Sequence, residues 1–253
     1  MNTTMVALLA FGCTFAAAVV GIALRERLPA HHLDADSKDA VKLVMGLIAT
    51  ITALVLGLLI SSAHSAYDQQ AGELQQLGVH LTEIDRILAH FGQDAAPQRE
   101  LLRRVVAADI ARVWPRDRAE AATDIPPAAQ REAQGLFDGI ASLTPTTDLQ
   151  RFGQSRALQL LASVGETRRL LSEQVSSAVS WPLVFVLIAW LTLLFFGFGL
   201  FARMNATVVA AFFVGAVSVA GALFLILEMS QPYSGWIQVS SAPLRNALAQ
   251  MSR

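Results

Sequence analysis

The chain has 253 residues, 54% hydrophobic and 15% charged, with a mean hydropathy of +0.47; it is too apolar for one water-soluble domain and too charged for a solid membrane block. The apolar runs lie at both ends and most of the charge between Asp68 and Glu173, which predicts a water-exposed domain carried between membrane segments. A net charge of −1 and a single cysteine, Cys13, exclude a concentrated basic surface for nucleic acid, an intrachain disulfide and a cysteine-based metal site.

The first apolar run, Met5 to Leu24, is long enough to span a bilayer and lacks the basic lead-in of a cleaved signal peptide, so it reads as a retained helix. Cys13, Ala17 and Gly21 recur at steps of four and would let a neighbouring backbone approach closely. The connection from Leu28 holds His31, His32 and Asp34 and ends at Asp36, which with Asp39 resembles a capping box for the next helix.

The second span runs from about Ala40 to Ser62 and continues without a helix breaker into a water-soluble heptad helix. There Leu74, Leu77, Leu81, Ile84, Leu88 and Phe91 alternate steps of three and four, the spacing of a helix-packing seam. Gly92 closes this rod. Three further amphipathic helices follow: one from Pro97 offering Leu101, Leu102, Val105, Ile110 and Val113; one over about Ala128 to Leu143 offering Leu136, Phe137, Ile140 and Leu143; and one over about Thr147 to Ser177 offering Leu158, Leu161, Val164, Leu171 and Val175. A polar connection containing Asp117, Glu120 and Asp124 separates the first from the second. Four such helices predict an antiparallel bundle.

Ser180-Trp181-Pro182 reads as the start of a third span, with the serine as cap and the proline in the first turn. That span ends near Phe201. The hairpin Ala202 to Asn205 returns a fourth span, Ala206 to Met229, antiparallel beside it, with Ala211, Gly215, Ser218 and Ala222 as its small face. After Pro232 a short helix carries Ser241 as cap, Pro243 at its start, and Leu244, Leu248 and Met251 on one side; it lies on the interface or docks against the bundle.

The predicted fold is therefore all-α: a first transmembrane pair over 1–62, an extramembrane helical domain over 63–180, a second transmembrane pair over 181–229, and an interfacial tail over 230–253. Four spans place both termini and the middle domain on one side. Arg25, Arg27, Lys38, Lys42 and Arg203 in the short hairpins predict that those face the cytoplasm and the middle domain faces outward, against the weaker pull of Arg245 and Arg253.

Along the second span, Gly46, Thr50, Ala53, Gly57, Ser61 and Ser65 recur at steps of three and four and lie on one helix face. Small and hydroxyl residues there have two physical uses. They allow close helix packing, or they line a wetted path in which Thr50, Gly57, Ser61 and Ser62 sit nearest the ions, with His64 and Asp68 at the mouth. Glu228, the acidic residue close to membrane depth in the fourth span, is a candidate gate or charge site. His31 and His32 beside Asp34 and Asp36, and His80, Glu83 and His90 on the rod, lack the convergent spacing of a metal site. A nucleophile elbow, a phosphate loop and a dinucleotide fingerprint are absent from the sequence, so neither an enzyme nor a cofactor is expected.

Several blocks resemble the bestrophin-like family of four-span bacterial membrane proteins. They are Leu28-Pro29-Ala30-His31-His32, Gly46-Leu47 with Thr52 through Leu59, Ile84-Asp85-Arg86-Ile87-Leu88, Trp114-Pro115, Phe198-Gly199-Leu200-Phe201, Asn205-Ala206-Thr207, and Pro232 through Leu244. The pattern departs at Arg203-Met204 and at Phe91-Gly92-Gln93, where proline-bearing turns are more typical of the family. The resemblance implies a bacterial inner-membrane ion channel assembled as a homo-oligomer, with a pentamer favoured, whose second span lines the pore and passes inorganic ions. The rival expectation is a non-conducting scaffold or sensor whose helical domain binds a partner or ligand.

Overall fold

The computed structural model describes residues 2–27, 35–114, 126–177, 181–231, 233 and 236–252, with only the backbone at 35–38 and 172–177. The expectations for His31, His32 and Asp34, the capping side chain of Asp36, the Asp117 to Asp124 connection, Val175, the Ser180 cap and Pro232 lie outside the described residues. The described residues form eight α-helices and no strand: α1 (Thr3–Arg25), α2 (Ala35–Ala89), α3 (Ala96–Val113), α4 (Pro127–Ala141), α5 (Asp148–Ser177), α6 (Trp181–Phe201), α7 (Ala206–Met229) and α8 (Ala242–Met251). The all-α fold expected from the apolar and heptad periods is the one observed. Four helices, α1, α6, α7 and the part of α2 from Asp39, are long and apolar enough to cross a membrane. The expected rod has no break at Ser62, since α2 is one helix, and Gly92 ends the segment with φ +64°, a left-handed conformation that glycine adopts without a Cβ penalty.

The chain divides into two compact units, Met1–Ser65 with Val179–Ser230, and Ala66–Ala178 with Gln231–Arg253. In the first unit, α1 packs against α6 and α7. The contact is between backbones: a Cβ on Gly21 would meet the Phe196 carbonyl and lie 2.9 Å from Leu200 N, and one on Gly199 would meet the Ala18 carbonyl. The buried stripe of α1 is Thr3, Ala7, Ala10, Thr14, Ala18 and Gly21, so Gly21 has the expected close-packing role while Cys13 is exposed and Ala17 only half-buried. In α7 the buried residues are Ala216, Leu223, Ile226, Leu227 and Glu228; the predicted small face is largely turned away, with Ala211 and Ser218 exposed. Asn205 caps α7 by accepting a hydrogen bond from Val208 N at 2.8 Å, and Arg25 Nη1 donates to the Ala202 carbonyl at 3.1 Å, fixing the hairpin to the end of α1.

In the second unit the α2 seam is buried at all six predicted positions, against Leu102, Val106, Leu136, Ile140, Ala157, Leu160 and Val164. Phe137 is exposed, and the α5 seam is Ala157, Leu160, Val164 and Leu171 with Leu158 and Leu161 at its flank. The tail joins this core rather than lying apart. Tyr233, Val239, Leu244, Ala247 and Met251 are buried in it, Trp114 Nε1 donates to the Val239 carbonyl at 2.9 Å, and Gly78 leaves room for Pro243, whose carbonyl would lie 2.9 Å from a Cβ there. Of the two placements open to α8, the bundle is the one adopted. Its first N–H groups are served by Ser240 Oγ, which accepts from Ala242 N at 3.2 Å, while the Ser241 side chain makes no cap bond.

Candidate functional site

The first unit buries one side of α2 through Met45, Thr52 and Ala63, with Val55, Leu56 and Leu59 packed against the Ala10, Leu187, Leu191 and Leu223 cluster. At 100° per residue, the Gly46, Thr50, Gly57 and Ser61 stripe lies on a different side of the helix. Thr50, Gly57, Ser61, Ser62, His64 and Asp68 are all exposed in the protomer. A Cβ added at Gly46 or Gly57 would meet nothing within 4 Å, so among the described residues no helix is packed on the stripe at those two positions.

Helix geometry brings four of the five candidates in the first unit together and separates one. Within the first unit Thr50, Gly57, Ser61 and His64 fall within a sector of about 60°, whereas Ser62 is about 120° round the helix from Thr50, beside Val44 and Ile51. The first unit's part of α2 ends at Ser65, one residue past His64, and Asp68 belongs to the second unit. The Thr50 hydroxyl donates to the Gly46 carbonyl at 2.8 Å. Its proton is thereby used, and the oxygen presents lone pairs to whatever faces it. A ridge of large apolar residues, Leu43, Leu47, Leu54 and Leu58, is also exposed and adjoins the stripe.

Glu228 is elsewhere. It is 1% exposed near the end of α7, where its Oε1 accepts a hydrogen bond of 2.5 Å from the Thr3 hydroxyl in the first turn of α1. A carboxylate there also meets the positive end of the α1 dipole. Among the described residues there is no group of three or more His, Cys, Asp or Glu side chains that could hold a metal ion.

The second unit carries charge chemistry whose partners sequence spacing did not identify. Asp85 and Arg86 point apart as neighbours on a helix, leaving either able to bridge to another helix, and Asp85 does so: it is paired with Arg99 through two bonds, Nε to Oδ1 at 2.8 Å and Nη2 to Oδ2 at 2.9 Å. Asp109 accepts from Arg112 Nη2 at 2.6 Å and Arg168 Nη2 at 2.8 Å. Burial pushes the Asp109 carboxyl above its usual range, against the pull of the two guanidiniums. This cluster lines a cavity of about 100 Å³ together with Leu77, Leu102, Val164 and Tyr233. The sequence signal for it was Asp109-x-x-Arg112, an ion-pair spacing inside an otherwise apolar helix face.

A sequence model of the Bestrophin-like domain matches residues 12–244. Among solved structures, a bacterial Bestrophin homologue from Klebsiella pneumoniae carrying a point mutation is similar at 13% identity, with 100% of this chain and 99% of that one covered and a TM-score of 0.70. A second mutant of a bacterial Bestrophin homologue from the same organism matches at 14% identity, 97% and 99% coverage and a TM-score of 0.64. A further crystal structure of such a homologue, phased on zinc, matches at 12% identity with 96% of each chain covered and a TM-score of 0.66. At these identities the likeness speaks for the fold alone. No curated protein matches the chain. The match over 12–244, on a chain with four helices apolar enough to cross a bilayer, shows that this is a helical membrane protein belonging to the Bestrophin-like family.

Proposed function

We propose that the chain is one subunit of a homo-oligomeric ion channel, with a pentamer favoured by the family resemblance, whose conduit is lined by α2. The observation that carries this reading is the stripe of Thr50, Gly57 and Ser61, exposed in the protomer and, among the described residues, covered by no helix at Gly46 or Gly57. Copies arranged with this face inward would surround a path walled by backbone and hydroxyl oxygens. His64, in the same sector of α2, and Asp68 would stand at its mouth. An oxygen that has already donated its proton, as in Thr50, offers an acceptor, and acceptors with an acidic mouth suit a cation. Ser62 faces a different direction and is assigned to helix packing. Glu228 is assigned to holding α1 against α7.

The setting is a bacterial inner (plasma) membrane, with the basic hairpins at Arg25, Arg27 and Arg203 facing the cytoplasm and the extramembrane unit outward. The test is flux of sodium, potassium and chloride through purified protein in liposomes. Thr50→Trp and Ser61→Trp are expected to lower cation flux by about tenfold or more, as expected for a blocked path. Leu183→Trp, on another surface, leaves it near wild type. Flux indifferent to Thr50→Trp and Ser61→Trp removes the stripe from the path. Absence of flux in wild type favours a non-conducting scaffold or sensor, a reading for which the lined cavity of the second unit is the supporting observation.

A further inference from the structure

The loop between Tyr233 and Val239 is pinned at both ends and turned outward in the middle. Tyr233 and Val239 are buried in the core of the second unit, and Trp114 Nε1 holds the Val239 carbonyl at 2.9 Å. Between these anchors Trp236 is 86% exposed, the most open large apolar side chain among the described residues. In water that much uncovered indole is unfavourable.

The chain sets the height of this loop along α2. Tyr67 Oη donates to the Gln238 carbonyl at 3.3 Å. Tyr67 is five residues beyond Ser62, where the apolar span is expected to end, and that is about 7.5 Å of helix. The polar layer on each side of the hydrocarbon core is about 5–7 Å deep, so Gln238 is held near its outer edge. Trp236 is two residues back along the chain, at most about 7.6 Å between Cα atoms, which lets its ring lie in that layer.

The chemistry of the loop agrees with its height. No charged side chain lies between Glu228 and Arg245, so this stretch offers nothing to an ionic partner, whether protein or headgroup. An indole combines a broad apolar face with one N–H donor, which suits the ester level of a bilayer, where hydrocarbon meets carbonyl oxygens. Trp181 opens α6 as the chain returns from the extramembrane unit, and it supplies a second indole on the same face of the membrane.

We propose that this loop seats the extramembrane unit on the membrane surface, with the Trp236 ring among the phospholipid ester groups. The partner is the lipid, zwitterionic or anionic alike. The contact goes beyond the channel reading and needs neither ion flux nor a second copy. It also divides the expected interfacial tail: α8 packs into the bundle, while the loop before it takes the interfacial place.

The test is fluorescence of the full-length protein in lipid nanodiscs, in a Trp181→Phe/Trp190→Phe background that leaves Trp114 and Trp236. Replacing phosphatidylcholine by one brominated near the ester end of its chains should remove about half of the emission, since one of the two indoles lies beside the quencher. Bromines near the chain ends should quench less, and phosphatidylglycerol brominated at the shallow position should quench as well as the zwitterionic lipid. Adding Trp236→Phe should abolish the lipid quenching. The difference between wild type and Trp236→Phe in the same lipids gives this reading without the background substitutions.

Equal quenching with and without Trp236 overturns the proposal, as does quenching confined to the anionic lipid or stronger from the chain ends. Trp236 emission quenched by aqueous iodide and not by lipid leaves the ring in water; emission shielded from both assigns its cover to protein, a second copy first. Either result refutes the lipid contact. A non-conducting protein that shows the shallow quenching refutes the channel reading and not this one.

Discussion

The Asp85–Arg99 pair ties α2 to α3, and its two partners are buried unequally. The side chain of Asp85 is 10% exposed and that of Arg99 is 26% exposed. The bidentate geometry, with bonds of 2.8 and 2.9 Å, raises the Arg99 pKa chiefly through the hydrogen bond to Asp85. Removing the arginine therefore strands a carboxylate with little access to water, whereas removing the acid leaves a guanidinium that still reaches solvent. Arg99→Met is expected to cost about 3 kcal/mol and Asp85→Ala about 1–2 kcal/mol. Because each single change contains the penalty of the stranded partner, the double variant should lose less than the sum of the two, with a coupling of about 2 kcal/mol. Thermal unfolding of the full-length protein in detergent, followed by circular dichroism, is the measurement. Arg99→Met should lower Tm by about 10 °C, at a few degrees per kcal/mol for a unit of this size. Equal single effects that add in the double variant would show that the pair behaves as a solvated surface contact, and the argument from unequal burial would fail.

Two further outcomes follow from packing and titration. Gly21→Ala places a Cβ against the Phe196 carbonyl and should destabilise the first unit by about 1–3 kcal/mol, as overpacking does. Gly57→Ala meets nothing within 4 Å and should be neutral or slightly stabilising, by up to about 1 kcal/mol; Tm values of the two variants in detergent separate these cases, and equal losses would contradict the backbone contact between α1 and α6. Tyr233 has a pKa raised in the folded state by burial and by Glu73. The folded form holds the phenolic proton where the unfolded form has lost it, so stability from this group is complete below the ordinary tyrosine pKa and declines as pH rises above it. The Tm difference between wild type and Tyr233→Phe should therefore change between neutral pH and about pH 11 in favour of the phenylalanine variant; a constant difference would mean that the hydroxyl is solvated.

Where a helix face is marked by large side chains at unbroken heptad steps, its phase was legible. Leu74, Leu77, Leu81, Ile84, Leu88 and Phe91 are all buried. Phase was lost where the sequence repeats itself. In α1 the run Ala16-Ala17-Ala18 offers any of three alanines to the packed face, and Ala18 takes it because the closest approach is set by Gly21 and by Gly199 of α6. In α5 the doublet Leu160-Leu161 leaves two registers open, and Ala157, small enough to be passed over, is fully buried. That Asp85 could reach another helix was legible, but its partner Arg99 and the Asp109 cluster were not, for a different reason. Each joins residues from separate helices, and the cavity exists only once the tail has brought Tyr233 and Leu244 to helices from far earlier in the chain.

On the α2 stripe two uses of small and hydroxyl residues stand against each other. From residues alone, close packing and a wetted path were both open, and packing within the chain was the simpler of the two. That simpler use is unfilled at Gly46 and Gly57, while the neighbouring Leu43, Leu47, Leu54 and Leu58 ridge is likewise uncovered. Lipid can solvate the leucine ridge at no cost, but it offers nothing to the Ser61 hydroxyl and leaves glycines that help no packing. On the proposed channel reading a second copy of the chain would account for both surfaces at once, with leucines against a neighbouring helix and the glycine and hydroxyl sector turned to the shared axis. Scaffold and channel then differ only in whether that axis is wet, and a bulky side chain at Thr50 tells them apart because it blocks a wet axis and disrupts a dry one. In the first case the oligomer mass survives and flux is lost; in the second the oligomer itself falls apart.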